Sequence, residues 1–328
     1  MLYPLTFHPI FKERVWGGRK LESFYGKRLP PGRPIGESWE ISDRPGDASV
    51  IANGPFAGKD LRWLMENYGK ELLGTASALN GRFPLLIKIL DAQDILSLQV
   101  HPPAHKAAEL QGEAKTEIWY IADAAPDAEL FVGLKRGTTR QAFEEKLRSG
   151  EVAECFHRVR VKAGDAMFLP SGRVHALGSG LMIFEIQQNS DTTYRVFDWN
   201  RKGLDGKPRD LHLDQALASI DFDDFEPALL PHRTQSVGSA VFRPLVEDPL
   251  FKVDLLTMTS TESMRVPRRP SFEIIGVVAG RLVIASSGSE SLKLAAGQFG
   301  LIPAGIQTEL WLEAGSRILR IQPGVPLK

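Results

Sequence analysis

One spacing occurs twice in this chain: glycine, five residues, proline, one residue, glycine, two residues, then a reporter position. The first copy runs Gly164-Asp165-Ala166-Met167-Phe168-Leu169-Pro170-Ser171-Gly172-Arg173-Val174-His175. The second runs Gly297-Gln298-Phe299-Gly300-Leu301-Ile302-Pro303-Ala304-Gly305-Ile306-Gln307-Thr308. In each, a turn glycine opens a short apolar run and a Pro-x-Gly turn closes it, the punctuation of consecutive short strands. Upstream of the first copy, the alternation of Val159 and Val161 predicts a strand that forms a hairpin across Gly164-Asp165. Thr116-Glu117-Ile118 and Phe272-Glu273-Ile274 open a further apolar strand in each half. Two copies of one β-unit predict a mainly β chain with two β-barrel or jelly-roll domains. Only the first copy ends on a histidine, so the repeat predicts one metal site and not two.

The rest of the chain fits around this repeat. Residues 1–58 are rich in Gly, Pro and aromatic residues and predict antiparallel strands. Behind Asp60, Leu61, Leu64, Met65 and Tyr68 recur at helical spacing. Phe83–Leu90 and Leu96–His101 predict two strands joined by the polar turn Asp91–Asp94, and Lys115–Ile121, Leu181–Gln187 and Tyr194–Trp199 predict three more. Ala104–Leu110 and the charged stretch Thr138–Gly150 predict helices, the second stopped by Gly150. The expected division is a metal-binding domain over 1–220, a linker over 221–240 and a C-terminal copy without ligands over 241–328.

Strand alternation supplies the candidate chemistry. Ser97, Gln99 and His101 share one face between Leu96, Leu98 and Val100, and a polar stripe on such a strand faces either water or a site. Lys115, Glu117 and Trp119 share a face of another strand, and His175 is fixed by turns on both sides. Gln99, His101, Glu117 and His175 suit a divalent ion. Two imidazoles with carboxylate and amide oxygens favour zinc, with manganese, iron or cobalt as alternatives. The same residues equally suit ordinary polar strand positions. His8, His105, His157, His212 and His232 fall in loops, helix starts or surface contexts and read as solvated.

Composition narrows the partners. Forty Lys and Arg balance forty Asp and Glu, which fits a small neutral or mildly anionic substrate better than nucleic acid or a membrane surface. The single cysteine, Cys155, allows no intrachain disulfide and no cysteine metal cluster, so a reducing cytoplasm is the expected compartment. The N-terminus shows no signal-peptide pattern, and no stretch is long enough to span a membrane. A monomer or weak homo-oligomer is expected.

Four blocks carry a resemblance. Leu96-Ser97-Leu98-Gln99-Val100-His101-Pro102, Lys115-Thr116-Glu117-Ile118-Trp119-Tyr120, Pro170-Ser171-Gly172-Arg173-Val174-His175-Ala176-Leu177-Gly178 and Glu185 through Trp199, in this order, resemble the type I mannose-6-phosphate isomerases of the cupin superfamily, in their short bacterial form. The resemblance spans the chain and implies two cupin-type jelly-roll barrels with a few inserted helices. It implies one zinc per chain on Gln99, His101, Glu117 and His175. It matches Arg195 to the family's catalytic arginine and Lys115 to the lysine beside the zinc glutamate. Glu185 falls where some members place an acid/base, and Ser97 and Arg201 fall where phosphate contacts are expected. One departure is visible, since Pro103-Ala104-His105 replaces an acidic pair after the His-Pro. The implied reaction is interconversion of mannose 6-phosphate and fructose 6-phosphate through a cis-enediol. The alternatives are a metal cupin isomerase acting on another sugar phosphate and a non-catalytic sugar-binding cupin.

Overall fold

The computed structural model describes residues 2–324 and is mainly β. It divides into two compact units, neither contiguous in sequence. One comprises Phe11–Ser38 and Ile87–Leu230; the other takes the residues up to Ile10, Trp39–Leu86 and everything from Pro231 onward. The last boundary falls inside the stretch 221–240, but residues 39–86 group with the C-terminal sequence rather than with the histidine-bearing one. Within that second unit Phe83 packs on Phe272 with ring centroids 4.8 Å apart, and Leu5 bridges to Leu301. Such packing is non-local and leaves no mark on the composition of either segment.

The first unit is a sandwich. A six-stranded sheet runs in the order Ile10–Gly18, Ile35–Ile41, Leu85–Ala92, Leu181–Gln188, Glu117–Ala124, Ala166–Leu169. A five-stranded sheet runs Tyr194–Phe197, Leu98–Val100, His175–Leu177, Glu129–Leu134, Phe156–Arg160. One buried cluster joins them, with Leu90, Ala92, Trp119, Ile121, Met167, Leu169 and Ile183 from the first sheet and Leu130, Val132 and Leu177 from the second. The reverse face of the five-stranded sheet is covered as well. Leu98, Val100, Phe131, Ala176 and Val196 pack with Phe143 of helix Arg140–Ser149 and Ala216 of helix Leu213–Ser219. Phe143 is fully buried, a gain of about 2–3 kcal/mol for one side chain. That covering forces the polar face of Ser97, Gln99 and His101 into the sandwich rather than toward water.

The hairpin expected across Gly164-Asp165 is instead an arch between the sheets. Phe156–Arg160 pairs with Glu129–Leu134, whereas Ala166–Leu169 pairs with Glu117–Ala124. Leu85–Ala92 and Leu98–Val100 likewise belong to opposite sheets. The turn residues are those of a hairpin, but each flanking strand finds a distant partner. The Pro170-Ser171-Gly172 turn is a third arch, and Ser171 Oγ accepts from Lys115 N–H at 3.0 Å, tying it to the mouth of strand Glu117–Ala124. Gly172 and its counterpart Gly305 have φ of +97° and +72°, a region costly for any residue with a Cβ. The arch places His175 in the sheet facing Glu117.

Two expected helices form, and two more, Lys20–Tyr25 and Leu213–Ser219, were not expected. Asp60 caps Leu61–Leu73 by accepting from Trp63 N–H at 2.7 Å, and Thr139 caps Arg140–Ser149 with Gly150 in the left-handed C-cap. The helix expected over Ala104–Leu110 is only the single turn Ala104–Ala107.

The C-terminal sequence repeats the sandwich. Its six-stranded sheet includes Phe251–Met258, Arg317–Pro323, Glu273–Ala279 and Phe299–Ile302; its four-stranded sheet is Glu262–Val266, Thr308–Leu312, Arg281–Ser286, Leu292–Ala295. Register makes the two copies comparable residue by residue. Glu117 pairs with Leu169 and Gln187, and Ile118 with Ile186; Glu273 pairs with Ile302, and Ile274 with Ile321. Trp119 opposes Glu185, whereas Ile275 opposes Arg320. His175 opposes Gln99 in one copy, and Thr308 opposes Val266 in the other.

Candidate metal centre and active site

Along the strands of the first sandwich the interior changes character at one level. Ile121 and Trp119 give way to Glu117, Ile183 to Glu185, Leu90 to Lys88, and Leu177 to His175. Burying so many charged groups is costly unless they pair or bind an ion.

At the deep end, His101, Glu117 and His175 are each at most 1% exposed, and their ligand atoms lie within 4.8 Å of one another. Glu117 Oε2 is 3.6 Å from His101 Nε2, and Oε1 is 3.5 Å from His175 Nε2. Both imidazoles are oriented from behind. His101 Nδ1 donates to the Thr192 carbonyl at 2.8 Å and His175 Nδ1 to the Arg173 carbonyl at 2.9 Å. A carbonyl only accepts, so the proton sits on Nδ1 and each Nε2 carries a lone pair within 3.6 Å of a Glu117 oxygen, where His101 Nε2 also meets Lys115 Nζ at 3.3 Å. Burial pushes both imidazoles toward the neutral form, His175 down to about 4 and His101 well below its ordinary value. Gln99 Nε2 lies 3.2 Å from His175 Nε2, and a half-turn of that amide presents Oε1 instead. Lys115 Nζ is 2.8 Å from Glu117 Oε2, yet neither Glu117 oxygen receives a well-aligned hydrogen bond. Neutral imidazoles in a fixed tautomer, an under-satisfied carboxylate and an adjacent amide are the donors a divalent ion requires, so the residues present fit one.

A row of alternating charge leads away from the triad across neighbouring strands. Lys115 lies 3.6 Å from Glu185, Glu185 3.5 Å from Lys88, Lys88 4.0 Å from Glu37, and Glu37 2.7 Å from Arg14. Burial raises the Glu185 acid above the ordinary carboxylate range against the pull of Lys115 and Lys88. Burial works against the Lys115 ammonium, but Glu117 and Glu185 more than offset it and hold it charged. This row lines a cavity of about 650 Å³, together with Ser97, Gln99, Arg195, Arg209 and His212. That volume is ample for a phosphorylated hexose.

Arg195 opposes Gln99 in the register of strand Tyr194–Phe197. Its Nε is buried without a hydrogen-bond partner, and among the described residues its guanidinium is in no ion pair within 4.0 Å. It therefore does not pair with Asp191 or Asp198 as an ordinary strand arginine would. Burial lowers its affinity for its proton, and Arg209 adds to that effect. Ser97 is buried at the cavity wall with Oγ 3.4 Å from Gln99 Oε1.

Arg201 is not among the cavity's walls. Its Nε and Nη2 donate to Asp198 Oδ1 at 3.1 and 2.8 Å, and its Nη1 reaches Asp94 and the Ile95 carbonyl. Arg209, eight residues on, lines the cavity in its place. His212, expected to be solvated, is half-buried in the wall, and its Nδ1 accepts from Arg195 N–H at 3.3 Å. Lys88, Glu37 and Arg14 also escaped the sequence reading. Of these only Lys88 carries a signal, as the one charge inside Leu85-Leu86-Ile87-Lys88-Ile89-Leu90.

A buried His–Glu–His group lies beside a charged, sugar-sized cavity whose wall residues Gln99 and Lys115 touch it, a site suited to carbohydrate chemistry, and residues 5–146 match the family model described as phosphomannose isomerase type I, catalytic domain. The chain is 37% identical over 310 residues to the mannose-6-phosphate isomerase ManA of Bacillus subtilis (strain 168), covering 92% of this chain and 94% of that protein. It therefore belongs to the type I mannose-6-phosphate isomerases and is an enzyme of that kind. It is also 34% identical over 309 residues to the mannose-6-phosphate isomerase of Streptococcus mutans serotype c, covering 94% and 95% of the two chains. The crystal structure of the mannose 6-phosphate isomerase from Bacillus subtilis superposes with a TM-score of 0.89 at 30% identity, over 98% of this chain and 99% of that one. Among the described residues no helix is long and apolar enough to cross a membrane.

Proposed function

We propose that the chain interconverts mannose 6-phosphate and fructose 6-phosphate through a cis-enediol, with one zinc ion held by Gln99, His101, Glu117 and His175. The carrying observation is the Glu117 carboxylate, fully buried with an imidazole Nε2 near each oxygen and no well-aligned hydrogen bond of its own. Zinc held there supplies Lewis-acid polarisation of the sugar's oxygens.

The remaining chemistry falls to the chain's own side chains. Isomerisation moves a proton between C1 and C2 and develops negative charge on the attached oxygens. Arg195, a cavity-wall cation in no ion pair among the described residues, stabilises that charge. Lys115 and Glu185, 3.6 Å apart, shuttle the proton; burial raises Glu185 so that it holds a proton more readily than an exposed carboxylate. Ser97 contacts the substrate at the wall. The catalytic domain is the first sandwich with its N-terminal strands and helical insertions. The C-terminal sandwich is a degenerate copy that keeps the glutamate as Glu273 but holds Thr308 and Val266 where the first has His175 and Gln99. We assign the protein to the cytoplasm, as a monomer or weak homo-oligomer, on its single cysteine and balanced charge.

A coupled assay of mannose 6-phosphate conversion, with chelator and then with zinc restored, tests this reading. Chelation is expected to abolish turnover and zinc to recover it. Turnover that survives complete metal removal would sink the assignment.

A further inference from the structure

Resting on the sugar-phosphate reading, we propose that Arg209, with Arg195 and His212, forms the phosphate-recognition end of the cavity, and that Arg201 is its anchor rather than its contact. Both arginines bind Asp198, but they do so differently. Arg201 commits Nε, Nη1 and Nη2 to Asp198, Asp94 and the Ile95 carbonyl. Arg209 commits only Nε and Nη2 to Asp198, which leaves Nη1 without a partner among the described residues on a side chain that lines the cavity. Asp198 thus holds the Arg209 fork in one orientation and is itself held by Arg201 through Oδ1.

The charge balance points the same way. Arg195, Arg201 and Arg209 meet two ion-paired carboxylates, Asp198 and the exposed Asp94, which leaves one positive charge at this end for an anionic group. Three of the cavity's other carboxylates are ion-paired elsewhere. Glu13 pairs with Arg33 at 2.6 Å, Glu37 with Arg14, and Glu185 with both lysines. Asp205 accepts from Lys207 N–H at 3.0 Å in its own loop, and Asp191 acts on Lys115. Asp210, which attracts Arg195, is exposed. His212 completes the set. Its Nδ1 accepts from the Arg195 backbone, so in the neutral ring Nε2 carries the proton and is a donor.

The test uses the metal-loaded enzyme and reads kcat and KM for mannose 6-phosphate, the competitive inhibition constant of inorganic phosphate, and calorimetric binding of inorganic phosphate. Arg209→Met is expected to raise KM and the phosphate inhibition constant together by about 10- to 100-fold, with kcat within about threefold. Arg201→Met is expected to lower the unfolding temperature and to weaken phosphate less than Arg209→Met does. If Arg209→Met does not accumulate as folded protein, Arg209→Lys decides the matter, with phosphate weakened about three- to tenfold. An inhibition constant within twofold of wild type in the folded Arg209 variant, or a loss confined to kcat, overturns the proposal. Phosphate binding that depends on Arg209 in an enzyme that does not convert mannose 6-phosphate would sink the isomerase reading and leave this site standing.

Discussion

The two sandwiches keep the same glutamate and answer its charge in opposite ways. In the C-terminal copy Glu273 is 1% exposed and receives Arg320 Nε at 2.8 Å, Gln322 Nε2 at 3.0 Å and Arg269 Nε at 3.1 Å. Its cation is covalently part of the chain. In the first copy the register position of Arg320 holds Glu185, a second carboxylate, and Lys115 is the only cation within ion-pair distance of Glu117 among the described residues besides the imidazoles. The facing sheet changes in step, with His175 and Gln99 in one copy and Thr308 and Val266 in the other. A scaffold that buries a glutamate must neutralise it. One copy does so with arginine, and the other retains the donors for an exchangeable ion, which leaves room for substrate beside it.

Erasing that difference in the first copy has the largest expected effect. His175→Thr writes the second copy's residue into the first and removes one of the two imidazole lone pairs near Glu117. Metal content is expected to fall well below one per chain, with turnover reduced by about a thousandfold or more. Elemental analysis beside the coupled assay checks it; full metal occupancy in an inactive variant would move His175 from ligand to another role. The same variant isolates an acid lability. His175 in the folded chain titrates near 4, below its ordinary 6.5, so the unfolded chain binds its proton first. Its contribution is present above pH 6.5 and is lost as pH falls toward about 4. Urea unfolding of the metal-free proteins is expected to show wild type losing about 3 kcal/mol more than His175→Thr across that interval.

Breaking the second copy's solution is expected to cost stability and leave the metal in place. Arg320→Met strands Glu273 with Arg269 and Gln322 alone, at a cost of about 3 kcal/mol in chemical denaturation. Adding Glu273→Gln should return about half of it, because the unpaired charge is then gone. A neutral effect of Arg320→Met would mean that Arg269 alone suffices to hold Glu273.

How much of this was legible depends on how local each signal is. The repeat was readable because its glycines and prolines act through their own backbone. Strand alternation likewise put Gln99 and His101 on one shared face and Glu117 on another, leaving open whether either looks at water or at a site. What it left out was pairing. His175 opposes Gln99, 76 residues away, and nothing in Gly164-Asp165 or Pro170-Ser171-Gly172 distinguishes an arch from a hairpin. The grouping of residues 39–86 with the C-terminal sequence rests on contacts such as Phe83 with Phe272, equally remote. Arg201 and Arg209 both satisfy Asp198, and only the path of the intervening loop decides which lines the cavity. His212 lacked any signal, since its burial comes from Arg195 and the cavity wall rather than from its neighbours in sequence.

The smallest expected effect concerns the residue that replaced the histidine. Thr308 is 2% exposed, and its Oγ1 is buried with no hydrogen-bond partner among the described residues. On the neighbouring strands it faces Val266 and Ser286. A hydroxyl in that position gives up its bonds to water and regains none, a cost of about 1–3 kcal/mol that valine, equal in shape and at home in a strand, does not incur. Thr308→Val is expected to stabilise the protein by about 1 kcal/mol in chemical denaturation, with metal content and turnover unchanged. Valine at the equivalent position of the first copy destroys a ligand, whereas here it removes only an unsatisfied group. A loss of stability instead would mean that the Thr308 hydroxyl is satisfied by water entering the cleft formed with Ser286, Ser287 and Gln307.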